Sequence, residues 1–281
     1  MKRILVPTDF SSTAERALRF ALDIASKSKG TVILYHVYTP VENTSIDMEK
    51  TRKLENTQTE TNLVKRLQRF KKKVMANGMD VPVSTVVGRS PIINNILGFA
   101  EDNHIDLIVM GTQGASGLKK IIVGSVAARI IEKSDIPVLL VPEKFEWKEP
   151  EQIVFATNYQ KTDKQALSLV LALAKYYNAT VTVTHLINAY NIPEAEKEQT
   201  DFDTYAYTVQ REFNNSKLKF QLVKATSVTE TMENLYKEVP YDMVVMVRRK
   251  KTFMERYSME SFTKNMAYIT NHPLLVVPEE E

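Results

Sequence analysis

The stretch Arg3–Val37, "RILVPTDFSSTAERALRFALDIASKSKGTVILYHV", decides how this chain folds, because the chain contains it twice. Gln152–Leu186, "QIVFATNYQKTDKQALSLVLALAKYYNATVTVTHL", lies over it without a gap when Arg3 is set against Gln152. Thr8 then meets Thr157, Ala17-Leu18 meets Ala166-Leu167 and His36 meets His185. The ends of the two halves repeat as well: "DLIVM" (Asp106–Met110) matches "DMVVM" (Asp242–Met246), and "IPVLLVP" (Ile136–Pro142) matches "HPLLVVP" (His272–Pro278). Self-similarity at this length marks a duplicated domain, with the second copy shortened in its middle. The expected domains are 1–143 and 151–281, joined by the polar linker "EKFEWKEPEQ".

Within one copy the pattern alternates. Ile4–Pro7 is a short apolar run, as expected of a strand buried on both faces. A helix follows, with Ser11 or Ser12 as N-cap, apolar residues at three- and four-residue spacing, and Gly30 as its stop. Thr31–Val37 is β-branched and strand-like. A charged helix over Met48–Ala76, a strand over Val81–Gly88, a helix opened by Pro91, a strand over Asp106–Gly111, a helix from Ser125 and a strand over Ile136–Pro142 complete the copy. Alternation of this kind predicts an α/β chain of two tandem, doubly wound, mostly parallel five-stranded sheet domains.

Composition narrows the class. A net charge of +3 over 37 basic and 34 acidic residues argues against nucleic acid or an anionic membrane as the main partner. With no cysteine, zinc–thiolate sites and cysteine nucleophiles are excluded. No apolar run approaches the ~18 residues of a membrane span. A cytoplasmic protein is expected.

Four of the eight glycines, Gly111, Gly114, Gly117 and Gly124, fall in one loop between a buried strand and a helix, and none follows Gly124. Glycine lets backbone N–H groups approach an anion closely, and a helix N-terminus adds unsatisfied donors. Such a loop either cradles phosphates or is a turn that lets the chain leave the strand. Gly124-Ser125 at a helix start, with Asp9 at the end of the strand expected to neighbour it, favours phosphates. Ser125, Ser116 and Thr112 are the hydroxyl donors at hand. The spacing, G-x2-G-x9-G-S, is neither a Rossmann nor a Walker pattern.

With "VPTDFS", this loop and "IPVLLVP", both copies resemble the universal stress protein family, and the first carries its ATP-binding motif. The resemblance implies an adenine nucleotide alpha hydrolase-like fold and ATP as the ligand, with magnesium or without it, another adenine nucleotide remaining open. It places Pro7, Thr8, Asp9 and Val37 by the adenosine. Met110, Gly111, Gly114, Gly117, Gly124, Ser125 and Val126 fall on the phosphate side. Gln113 stands where many members carry His or Arg. It also implies that the copies pair through their final strands as an internal pseudo-dimer, with further homodimerisation open.

The second copy has lost this chemistry. Gly111, Gly114, Gly117 and Gly124 become Val247, Lys250, Phe253 and Glu260, and Asp9 becomes Asn158. The expectation is one nucleotide site, in the first copy, within a stress-response or signalling module. The rivals are a scaffold without nucleotide, a slow ATPase, and a new anion site over Arg248–Lys251. Catalysis is not expected to be prominent, because Asp9 is the one evident acidic candidate and no Walker-type lysine is present. His36 and His185 read as structural rather than as metal ligands.

Overall fold

The computed structural model describes residues 1–42, 49–75, 78, 80–112, 124–160, 163–188, 192–225, 240–249 and 271–279. These divide into two compact units, one up to Glu143 and one from Lys144.

The first unit runs β1 (Arg3–Pro7), α1 (Ser12–Ser28), β2 (Thr31–Tyr38), α2 (Glu49–Val74), β3 (Val83–Arg89), α3 (Ile92–Asp102), β4 (Leu107–Gly111), α4 (Ser125–Lys133) and β5 (Val138–Val141). Its strands are ordered β3-β2-β1-β4-β5 and every neighbouring pair is parallel. The crossovers through α1 and α2 step one way across the sheet, and those through α3 and α4 step the other way. Right-handed connections therefore put the two helix pairs on opposite faces. Covered on both sides, β1 buries Ile4, Leu5 and Val6 completely.

The second unit repeats this with β6 (Gln152–Ala156), α5 (Asp163–Tyr177), β7 (Thr180–Asn188), α6 (Ile192–Phe213), β8 (Leu218–Ala225), β9 (Met243–Arg248) and β10 (Leu274–Pro278). Its order is β8-β7-β6-β9-β10, again parallel throughout. The registers correspond residue for residue. Arg3 pairs with Thr31 as Gln152 pairs with Thr180, Ile4 with Leu107 as Ile153 with Met243, and Ile108 with Val138 as Val244 with Leu274. The α/β doubly wound reading of each copy holds.

One device sets the entry of the first strand in both units. Asp106 accepts the N–H groups of Lys2 and Arg3, the latter at 2.9 Å. Asp242 accepts those of Glu151 and Gln152 at 2.9 and 3.0 Å. A carboxylate just before the fourth strand thus pins the first strand in register beside it, using N–H donors at the start of that strand.

Several boundaries shift. Ser11 is the N-cap of α1, its Oγ accepting from Ala14 N at 3.1 Å. The α1 stop is Lys29, left-handed at φ 52°, rather than Gly30; a Cβ at Gly30 would meet the Lys2 carbonyl oxygen at 2.8 Å, so close strand approach explains that glycine. The aligned Asn178 is left-handed too, at φ 55°. Pro91 precedes α3 as its N-cap instead of lying in the first turn.

Candidate functional site

In the first unit the strand order reverses between β1 and β4, and a crevice must open beyond their carboxyl ends. A cavity of about 340 Å³ lies there, within the range of small-molecule sites.

Each wall follows from local structure. β1 ends in Pro7, and the Thr8 N–H still reaches the Tyr35 carbonyl at 2.8 Å. The chain then turns back through Phe10, whose backbone is left-handed at φ 67°. Side-chain oxygens satisfy that turn: Thr8 Oγ1 accepts from Phe10 N and Asp9 Oδ1 from Ser11 N, each at 3.0 Å. Pro7, Thr8 and Asp9 are thereby fixed along one rim, with Ser11 and Ala14 of α1 beside them.

β2 contributes Tyr35, His36 and Val37. His36 Nδ1 sits 2.7 Å from the Thr8 carbonyl, so Nδ1 carries the proton in that contact, and its ring packs on Phe10 at 4.6 Å. The Tyr35 hydroxyl donates to Asn95 Oδ1, and burial pushes this phenol above its ordinary value. Ile92 and Ile96 of α3 close the apolar side.

The opposite rim is Met110, Gly111 and Thr112, followed by Gly124, Ser125 and Val126 where α4 begins. Gly124 N donates to the Thr112 carbonyl at 2.6 Å, which anchors the start of α4 to the end of β4. Gly124 is the N-cap and has no side chain to bond the first amides of α4. Those donors, with the positive end of the helix, face the cavity that Ser125, Val126 and Ala127 line.

All of the described residues singled out in the sequence therefore line one cavity: Pro7, Thr8, Asp9, Val37, Met110, Gly111, Gly124, Ser125 and Val126. Gly114 and Gly117, with Gln113 and Ser116, lie outside the described residues. Gly111 has a steric reason besides any ligand, since a Cβ there would meet Thr13 Cγ2 at 2.5 Å. Sequence reasoning missed Tyr35, Ala14, Ile92, Ile96 and Ala127, and set His36 aside as structural. Apolar wall residues look like any core residue in a sequence, and only the fold shows which of them face a gap.

In the second unit, Lys250 and Lys251 of the basic run lie outside the described residues. Arg249 is bound to two carboxylates, Asp163 and Glu279. Among the described residues no cluster of three or more His, Asp or Glu is arranged to hold a metal ion, and no helix is long and apolar enough to cross a membrane.

The profile of the Universal stress protein family matches residues 1–142 and 150–278, so the chain belongs to that family. Universal stress protein MJ0577 of Methanocaldococcus jannaschii is 35% identical over 159 residues, 51% of this chain and 96% of the relative. Universal stress protein MJ0531 of the same organism is 34% identical over 50% of this chain and 81% of its own length. A solved universal stress protein from Archaeoglobus fulgidus shares the fold over 99% of this chain and 98% of its own, with a TM-score of 0.74 at 16% identity.

Proposed function

We propose that this member of the universal stress protein family binds an adenine nucleotide, ATP first among them, in the cavity of its N-terminal unit. Nucleotide occupancy then serves as the signal of a cytoplasmic stress-response module. The observation that supports this most is the convergence on one cavity of every described residue that the family motif selects.

The cavity's chemistry fits the ligand in two parts. Val37, Ile92 and Ile96 give apolar surface for a purine, and the Asp9 carboxylate in the same cavity suits ribose or base N–H and O–H donors. The uncapped start of α4 with the Ser125 hydroxyl suits phosphate oxygens. Magnesium, if carried in with ATP, would come bound to the phosphates. Asp9 is the one acidic residue among the described lining residues, which include no lysine or arginine. Phosphoryl transfer needs a metal ligand and a group that orients water, so we propose binding with little or no turnover.

The test is mass spectrometry of small molecules released on denaturing the purified chain, beside Val126→Glu. A carboxylate in the first turn of α4 favours the helix but repels phosphate, so the variant is expected to fold and lose its ligand. An adenine nucleotide at about one per chain, absent from V126E, is the expected result. No released nucleotide and no binding of added ATP would leave the scaffold reading.

A further inference from the structure

The corresponding place in the second unit is filled from within. The ungapped alignment of the two copies sets Thr157 on Thr8, Asn158 on Asp9, Gln160 on Ser11 and Asp163 on Ala14, and the strands on either side keep the same register in both units. In the first unit all four of those partners line the cavity. In the second, the Asp163 side chain is wholly buried. Its Oδ2 accepts from Thr157 Oγ1 at 2.6 Å, and from the N–H groups of Asn158 and Gln160 at 3.2 and 3.3 Å. Its Oδ1 takes the guanidinium of Arg249, which comes from just past β9 and binds Glu279 Oε1 at 3.1 Å with its other arm.

We infer that Asp163 is a built-in anion that closes the C-terminal counterpart of the cavity, with Arg249 as its cation, and so leaves the chain a single nucleotide site. The carboxylate spans from the start of α5 to the ends of β6 and β9, across the crevice whose counterpart in the first unit is the cavity. An ordinary capping aspartate is solvated and needs no cation from a distant strand. Asp163 has no solvent contact and recruits one 86 residues away. A ligand phosphate would have to displace a carboxylate holding four donors, and would then face Glu279 as well. The buried carboxylate in turn has nowhere to go without losing its charge partner.

The same geometry accounts for Arg249 of the basic run. An anion site over Arg248–Lys251 is only a rival reading of the sequence, and the anions that Arg249 holds are the chain's own carboxylates. The closure stands whatever the first unit binds; the count of one nucleotide per chain rests on the proposed function.

Equilibrium dialysis of the full chain against labelled inorganic phosphate tests it, with circular dichroism to confirm folding. Asp163→Ala restores the residue type of the open copy and should take up one more phosphate per chain than wild type. The gain should vanish in Asp163→Ala/Arg249→Gln. Asp163→Ser, which keeps a hydroxyl acceptor for the turn amides of Asn158 and Gln160, serves if the alanine variant does not fold. Repeating the series with ATP separates a nucleotide phosphate from a free oxyanion as what the opened seat takes. Folded D163A or D163S with no gain overturns the inference, and so does a phosphate on the wild-type chain that Arg249→Gln removes. Failure of the first unit to bind would lower every variant alike and leave these differences readable.

Discussion

His36 Nδ1 lies 2.7 Å from the Thr8 carbonyl oxygen, and His185 Nδ1 stands 2.8 Å from that of Thr157. The aromatic partner repeats too, Phe10 against His36 at 4.6 Å and Tyr159 against His185 at 4.7 Å, both at positive φ. One unit has kept its glycine loop and the other has lost it, so this clamp belongs to the fold of the turn beyond the first strand. In the first unit the turn also carries Thr8 and Asp9 to the cavity.

Removing either histidine should therefore cost stability, but only one should cost binding. His36→Ala and His185→Ala are each expected to lose about 1–3 kcal/mol in urea unfolding, from a hydrogen bond and a ring contact. ATP affinity should fall about tenfold in H36A, as the Thr8–Asp9 rim loosens, and stay at the wild-type value in H185A. Isothermal titration beside the unfolding curves reads both.

Gly111 makes a prediction of a different kind, because its space is taken by Thr13 of α1. Gly111→Ala should destabilise by about 1–3 kcal/mol through overpacking and weaken nucleotide binding by displacing the rim of the cavity. The nearest atom is Thr13 Cγ2, so Thr13→Ala in the same chain should restore part of both losses. A G111A chain as stable as wild type in thermal and urea unfolding would show that α1 yields freely there.

The sequence carried most of this architecture because buried parallel strands and amphipathic helices leave strong periodic signals, and the duplication stated them twice. The cavity rim was legible for the same reason: Asp9, Gly111 and Gly124-Ser125 sit at strand and helix ends, where residue type is tied to backbone geometry. The Asp163–Arg249 pair was not legible. Its partners are far apart in the chain, neither belongs to a motif, and Arg249 stood in a run of cations that reads as a solvated face. Lys29 was hidden likewise, since a lysine at a left-handed position has no sequence signature beside a neighbouring glycine.

Asp242 gives the second unit a pH dependence with a definite sign. Burial pushes its carboxyl up, but the Lys148 ammonium and the N–H groups of Glu151 and Gln152 outweigh that and hold it below its ordinary value. A carboxyl depressed in the folded state stabilises fully above its unfolded value of about 4 and loses that contribution as pH falls through the lower folded value. Asp242→Asn should accordingly lose about 1–3 kcal/mol at pH 7, and the gap from wild type should narrow below about pH 4. Urea midpoints across that range decide it; a gap unchanged at low pH would mean the charge contributes nothing.

The two copies also permit an exchange in the direction opposite to opening the second site. Ala14 lines the first cavity and is almost fully buried, while its counterpart Asp163 fills the second. Ala14→Asp should place a carboxylate beside Thr8 in the first cavity, where it opposes ligand phosphates as Asp163 does in the other unit. The position paired with Arg249 is Gln113, which supplies no cation. The new carboxylate therefore has no built-in charge partner, and A14D should be less stable than wild type as well as unable to bind ATP. Ala14→Ser, small and uncharged, should bind nearly as wild type does. Adding Gln113→Arg to A14D, which gives the first copy the second copy's residue types at both aligned positions, should recover stability without recovering ATP binding. Recovery of binding along with stability would mean that the guanidinium prefers phosphate to the carboxylate, and that charge pairing alone is not what silences the second copy.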